Sequence, residues 1–403
     1  MTTDSFAELS LAPDREDSTL AREHGAKSTL RVLHVGKYYP PVPGGMERVL
    51  QLLCESERRL VDVQALVANT SARTVREVCQ GVPVTRAGTL ARVGSVGLSP
   101  ALGLELGRTD ADVTVIHEPN PVALVADLVT HRRGALVVYF HSEVVRAQWK
   151  YRAFYRPFLR RVLDRAARIL VASPAMRDTA SQLEGYRHKC VVVPYGIALD
   201  SFAATSAVKA RARRWRLDLG PSPLLLFVGR LVPYKGVDVL IRAMPAFEGR
   251  LAVVGDGPLR NTLEQLAVEV GVAARVRFLG ALADDEVVAL YHACDAFVLP
   301  SVTKAEAFGM VQLEAMACGK PVISTDLSSG VPWVNQHEAS GLIVPPGDSA
   351  ALADAITRLM RDDQLRARLG AGARARVAQE FTAYRMAERT VAVYRTVLAE
   401  SGS

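Results

Sequence analysis

Apolar residues in this chain fall in short runs, not long ones. Residues 30–36, 61–67, 113–116, 136–140, 169–172 and 191–193 are each rich in Val, Ile and Leu. Between them, residues 46–59 and 155–167 carry apolar positions at helical spacing. Continuous apolar runs of strand length suit strands covered on both faces, and strands that alternate with helices build a mostly parallel, doubly wound sheet. The first strand runs into a Pro/Gly-rich loop at residues 39–45, which ends in Gly44 and Gly45.

A second series of the same kind follows the loop around Pro194, Tyr195 and Gly196 and a polar, Arg-rich stretch that ends near Arg216. Its predicted strands are 224–228, 251–254, 276–279, 296–299 and 321–324, each followed by a plausible helix. The pattern therefore predicts two Rossmann-like domains facing across a cleft, residues 30–200 and 201–381. A C-terminal helix over 382–403 is free to pack on either, crossing back to the first being one outcome. Residues 1–29 are polar and read as a disordered tail. Residues 88–107, rich in Gly and small side chains, read as a loop that can move over the cleft. No repeat of solenoid length is present.

Composition narrows the class without naming a function. At 403 residues the chain exceeds one ordinary core, and 49% hydrophobic with 23% charged residues is the balance of a folded globular protein. The longest apolar runs are strand-sized, so the expectation is a soluble, cytoplasmic protein. Five scattered cysteines without a C-x-x-C spacing fit reduced thiols. The net charge of +7 favours anionic partners in general, and only its placement can say which.

Two segments carry candidate chemistry. The strand 224–228 leads into a loop that presents Arg230 and Lys235 at its carboxyl end, the edge at which open α/β sheets bind ligands; two cations there suit a diphosphate. The strand 296–299 leads into a loop and helix in which Glu306 stands before the helix and Glu314 about two turns further on. The amides of Phe308, Gly309 and Met310 would form the helix N-terminus, which attracts phosphate or sugar oxygens, and carboxylates accept hydrogen bonds from vicinal hydroxyls. Taken singly, each feature has an ordinary reading as a solvated loop or an acidic helix end. His141 closes a strand, and alone it reads as a packed histidine; His34, His117 and His292 keep that reading.

Jointly, these residues resemble the retaining family 4 glycosyltransferases of GT-B architecture, from about Leu30 to the C-terminal helix. The residues that carry the likeness are Gly44 and Gly45, His141, Arg230, Lys235, Gly255, Asp256, Gly257 and Pro258, Glu306 with Glu314, and Gly319 to Val322. Residues 34–41, 119–121 and 330–336 are most similar to mannosyl- and rhamnosyltransferases of bacterial polysaccharide assembly. The resemblance implies a nucleoside diphosphate sugar donor, with GDP-mannose as first choice, and a saccharide or polyprenol-linked acceptor. It also implies catalytic roles for His141, Arg230, Lys235 and Glu306. Arg230 and Lys235 would hold the diphosphate, Glu314 the ribose, and Glu306 with the amides of Phe308 to Met310 the sugar. Gly44, Gly45, Gly255 and Asp256 would border the donor, and His141 would face the sugar near its anomeric carbon.

The implied reaction retains the anomeric configuration by same-face attack, with the departing phosphate helping to accept the proton. No metal or other cofactor is required by this reading, and the one D-x-D, Asp110 and Asp112, precedes its strand and reads as a turn. A Rossmann oxidoreductase is disfavoured because neither half has G-x-G-x-x-G after a strand. A GT-B nucleotide-sugar epimerase and a non-catalytic nucleotide-sugar binder stay open here. Residues 146–168 interleave Arg and Lys with aromatics, which suits anionic lipid at the inner face of the plasma membrane or, equally, a solvated helix face. No nucleic-acid module accompanies that patch, so a nucleic-acid partner is not expected.

Overall fold

The computed structural model describes residues 30–42, 44–93, 96–130, 134–143 and 155–401. The expected tail 1–29 and the start of the basic, aromatic segment lie outside the described residues.

In the first half the chain forms β1 (Arg31–Val35), β2 (Asp62–Ala68), β3 (Val75–Cys79), β4 (Val82–Ala87), β5 (Ala91–Val93), β6 (Val96–Leu98), β7 (Val113–Glu118), β8 (Ala135–Phe140), β9 (Arg168–Val171) and β10 (Cys190–Val192). Eight of these make one sheet in the order β10-β9-β8-β7-β1-β2-β4-β3, parallel except for β3 against β4. In the second half β11 (Leu224–Val228), β12 (Arg250–Val254), β13 (Val276–Gly280), β14 (Ala296–Leu299), β15 (Val322–Thr325) and β16 (Gly341–Val344) form an all-parallel sheet in the order β13-β12-β11-β14-β15-β16.

Strand side chains alternate between faces, and that alternation distributes the core. Leu33, Val35, Ile116, Val138 and Phe140 pack under the outer helices of the first sheet. Leu225, Phe227, Val253 and Val298 do the same for the second. The intervening residues, Val32, Val113, Val115, Val137 and Tyr139 on one side and Leu226, Ala252, Phe297 and Leu299 on the other, belong to one continuous cluster that runs through Tyr195, Ile197, Phe202, Phe308 and Phe381. The two halves are thus joined by apolar packing as well as by chain.

The chain crosses between halves twice at one place. Ile197 pairs with Thr382, and the Ile197 amide donates to the Phe381 carbonyl at 2.8 Å while the Ala383 amide donates to the Ile197 carbonyl at 2.9 Å. The last helix, Ala383–Ser401, then returns to the first half and lies on the helix Gly45–Glu57, where the Tyr394 hydroxyl donates to Glu57 at 3.1 Å. Arg168 fixes its far end through Glu400 at 2.6 Å.

Two regions differ from the sequence expectation. Within the span expected to be a loop, β5 and β6 form an antiparallel hairpin, and Ser99 caps a helix, Pro100–Arg108, by accepting from the Leu102 amide. The strand β3 is exposed along nearly its whole length, so it lacks the apolar alternation that marks a strand. The expected turn at Asp110 and Asp112 is held by Arg31, at 2.6 and 2.7 Å. All five cysteines are free thiols.

Candidate functional site

In both sheets the strand order reverses beside the first strand of the half. β11 has β12 on one side and β14 on the other, and β1 has β2 and β7. At such a reversal the flanking connections leave toward opposite faces, so a crevice opens at the strands' carboxyl ends. Adjacency of β11 and β14 is what brings Lys235 and Glu306 together from loops 71 residues apart.

Lys235 ends a short turn, Pro233–Lys235, and its Nζ lies 2.6 Å from Glu306 Oε2. Both side chains are about nine-tenths buried, and the Ser301 hydroxyl donates to the same carboxylate oxygen at 3.0 Å. An ammonium has three N–H donors, so Lys235 can hold Glu306 and still offer two to a phosphate. Arg230 is exposed at the mouth of the same loop and, among the described residues, pairs with no carboxylate. The neighbouring turn is fixed by backbone bonds from Gly229 to Val254 and from Leu231 to Asp256. Gly255 sits there at φ +118°, and any side chain on it would collide with the Gly229 carbonyl. The exposed Asp256 turns its carboxylate back to the Gly257 amide.

The helix Met310–Ala317 starts at Gly309, whose φ of +73° turns the chain so that the first-turn amides point out of the strand end. Gln312 ties that end down by donating to the Phe308 carbonyl at 2.7 Å. Little more than one turn along, Glu314 accepts from the Tyr291 hydroxyl at 2.9 Å. Burial pushes the Glu314 carboxyl up, against the opposing pull of Arg48 and Tyr291.

Gly44, Gly45, Arg48, Asp284, Met310 and Glu314 line a cavity of about 630 Å³ bounded by both halves. Gly45 begins the helix Gly45–Glu57, and a methyl group placed on it would meet nothing within 4 Å. The helix N-terminus of the first half therefore opens on the same space as the start of the donor-side helix. Arg48 reaches across toward Asp284 at 4.0 Å. A second ion pair crosses on the other side of the cleft, Glu143 to Lys304 at 2.8 Å.

His141 follows β8 and is almost fully buried. Its Nδ1 lies 2.7 Å from the Tyr195 hydroxyl, and the Tyr195 ring packs edge-on against Phe308 with centroids 4.9 Å apart. Tyr195 thus joins the expected catalytic histidine to the segment just before the helix Met310–Ala317. Burial pushes His141 down to about 3, so it is a neutral imidazole.

Of the twelve site residues singled out in the sequence, Gly44, Gly45, Met310 and Glu314 share the cavity, Gly309 starts the helix that carries the last two, and Lys235 and Glu306 form one buried pair. Arg230, Gly255 and Asp256 share the turn above β11 and β12, while His141 and Phe308 meet through Tyr195. The cavity wall includes neither Lys235 nor His141.

Sequence reasoning passed over Glu57, Tyr195 and Tyr394, and read His34 and His117 only as packed histidines. His34 Nε2 lies 2.7 Å from Glu57, His34 Nδ1 lies 2.9 Å from His117 Nε2, and His117 Nδ1 lies 2.8 Å from His141 Nε2. The sequence does carry a signal: His34, His117 and His141 each extend the inward-facing alternation of β1, β7 and β8, so three polar residues stand on the core face of three adjacent strands. At the end of β7, Glu118 is buried and accepts from the Tyr155 hydroxyl and the Asn120 amide; burial pushes it up to about 7.

Sequence relationships agree with this geometry. Residues 43–201 match the model of Glycosyltransferase Family 4, and residues 211–376 match that of Glycosyl transferases group 1. The D-rhamnosyltransferase WbpZ of Pseudomonas aeruginosa is 34% identical over 88% of this chain and 93% of its own. The chain belongs to glycosyltransferase family 4. The O-antigen chain mannosyltransferase C of Escherichia coli is 30% identical over 92% of this chain and 99% of its own. The structure of HepE from Anabaena in complex with UDP superposes with a TM-score of 0.73 at 23% identity, covering 91% of this chain and all of the other, which shows the GT-B fold. The protein is accordingly a hexosyltransferase with a sugar donor, and neither the epimerase nor the non-catalytic reading is favoured. Among the described residues no helix is long and apolar enough to cross a membrane.

Proposed function

We propose that the enzyme transfers mannose, with retention, from GDP-mannose to a saccharide or polyprenol-linked acceptor in cell-surface polysaccharide synthesis. The observations that carry the reading are the buried Lys235–Glu306 pair at one strand reversal and the cavity that Gly44 and Gly45 share with Met310 and Glu314. Arg230 and the two remaining donors of Lys235 bind the diphosphate and stabilise its charge as it departs; charge-assisted contacts of this kind contribute about 1.5–3 kcal/mol each. Glu306, held by Lys235 and Ser301, has lone pairs left for sugar hydroxyls. The amides at Phe308 to Met310 face the same oxygens. Glu314, already oriented by Tyr291, accepts from the ribose. His141 borders the sugar at its anomeric carbon, and Gly45 allows the first half to approach the diphosphate.

Positioning and charge stabilisation supply most of the acceleration in this scheme, with the leaving phosphate taking the acceptor proton. No metal enters it. Mannose follows the relationship to the mannosyltransferase of Escherichia coli; the relationship to the rhamnosyltransferase makes GDP-rhamnose the second reading. The outward row Arg156, Arg160 and Arg161 on the helix Arg156–Arg165, whose Leu159, Val162 and Leu163 face the core, supports attachment to an anionic inner membrane surface. Incubation of the protein with GDP-mannose, GDP-rhamnose and UDP-glucose, with membrane extract as acceptor and with or without chelator, tests the reading. Mannose incorporation that survives chelation is expected. Transfer from UDP-glucose alone would overturn the donor, and activity lost in chelator and restored by manganese would overturn the metal-free scheme.

A further inference from the structure

The histidines form a series, not a cluster. From Tyr195 the hydrogen bonds run His141, His117, His34, Glu57, at 2.7, 2.8, 2.9 and 2.7 Å, and Tyr394 donates to the other Glu57 oxygen. His34 and Glu57 are completely buried, and His117 and His141 nearly so. Each imidazole uses both nitrogens within the series. A neutral imidazole has one N–H and one lone pair, so the direction of one bond dictates the direction of the next.

Only two arrangements satisfy every link. With Glu57 a carboxylate, His34 Nε2–H donates to it, His117 Nε2–H donates to His34 Nδ1, His141 Nε2–H donates to His117 Nδ1, and the Tyr195 hydroxyl donates to His141 Nδ1. Adding one proton reverses the series. A proton from water bonds to His141 Nδ1, the His141 Nε2–H bond breaks as His117 Nδ1–H forms, and His117 Nε2–H breaks as His34 Nδ1–H forms. The last proton then sits between His34 Nε2 and Glu57. In that arrangement His141 Nδ1 donates to the Tyr195 oxygen.

We propose that Glu57, His34 and His117 are positioning residues for His141, and that the four side chains hold one mobile proton in common. The proton changes His141 Nδ1 from acceptor to donor while the charge it brings is neutralised at Glu57, at the other end of the series. Burial opposes a charge at His117 and His141 themselves, which keeps the proton at the carboxylate end. The titratable groups packed on the series from neighbouring elements are Tyr139 of β8, Tyr195, Tyr394 of the last helix and Cys54 of the helix Gly45–Glu57; burial pushes all four up, so the shared proton is left to the imidazoles and Glu57. Tyr139 also stacks on His141 with centroids 4.6 Å apart, which fixes the ring plane. The benefit to catalysis rests on the reading that His141 borders the transferred sugar: when His141 Nδ1 turns from acceptor to donor, the Tyr195 hydroxyl no longer spends its proton on His141 and is free to donate elsewhere.

The test is nitrogen NMR of the full chain labelled in histidine, followed across the whole pH range over which the protein stays folded. His34, His117 and His141 are expected to exchange tautomers through one common midpoint. Glu57→Gln is expected to abolish the common midpoint and to lower kcat on the order of 10- to 100-fold, with the donor KM within about threefold of wild type. Separate midpoints, fixed tautomers throughout, or an unchanged kcat in Glu57→Gln would overturn the proposal. The NMR result needs no substrate, so failure of the donor assignment would show as absent transfer with the common midpoint intact.

Discussion

The two halves handle polar groups at their strand ends in opposite ways. In the second half a cation and a carboxylate meet directly, Lys235 on Glu306, in loops beyond the strands and beside an exposed Arg230. In the first half the polar groups lie within the core, as imidazoles in series that end on a buried carboxyl group. Loop charges can be offered to a ligand without disturbing the sheet. Buried imidazoles cannot, because each is also a packing element of β1, β7 or β8. Substitutions in the second half should therefore act mainly on rate, and those in the first on stability and rate together.

The largest effect expected is on rate. Lys235→Ala and Glu306→Ala should each lower kcat/KM by about 10² to 10³, the usual cost of one preorganised charge contact, with unchanged circular dichroism. Turnover like wild type in either, measured by initial rates with GDP-mannose, would break the comparison at its catalytic end. Next, Glu57→Ala should destabilise the fold by about 3–5 kcal/mol in urea unfolding, since it strands His34 Nε2 and the Tyr394 hydroxyl in a dry core. A loss no greater than that of Lys235→Ala would remove the distinction between the halves.

Glu118 sharpens the same contrast through pH. Its carboxyl is raised from an ordinary 4.5 to about 7, so the folded state binds the extra proton between those values. Stability then falls as pH rises through that window, by about 1.4 kcal/mol per unit, and levels off above it. Glu118→Gln should remove this slope, and an identical pH dependence in the variant would contradict the buried, protonated state. Tyr195→Phe is the mildest change, about 1 kcal/mol of stability from one lost hydrogen bond at His141. Its rate should fall less than tenfold.

How much of this was legible in the sequence follows the same division. The buried parallel strands announced themselves as apolar runs, and Arg230, Lys235, Glu306 and Glu314 were found because loop charges after such strands stand out. Even so, the pairing of Lys235 with Glu306 required the adjacency of β11 and β14, which no local pattern states. β3 escaped because its exposed side chains give no alternation. The histidine series was the hardest to see. Each histidine was a single polar residue in or at the end of an apolar run, and only the lateral order β1-β7-β8 sets them side by side.

The proposed retaining mannosyl transfer beside Lys235, Glu306 and the Met310 helix fixes the stereochemistry of the product. The most direct measurement is the anomeric configuration of the product formed from GDP-α-mannose, read by NMR on the isolated glycoside. An α-linked mannoside is predicted; a β-linked product would contradict the account.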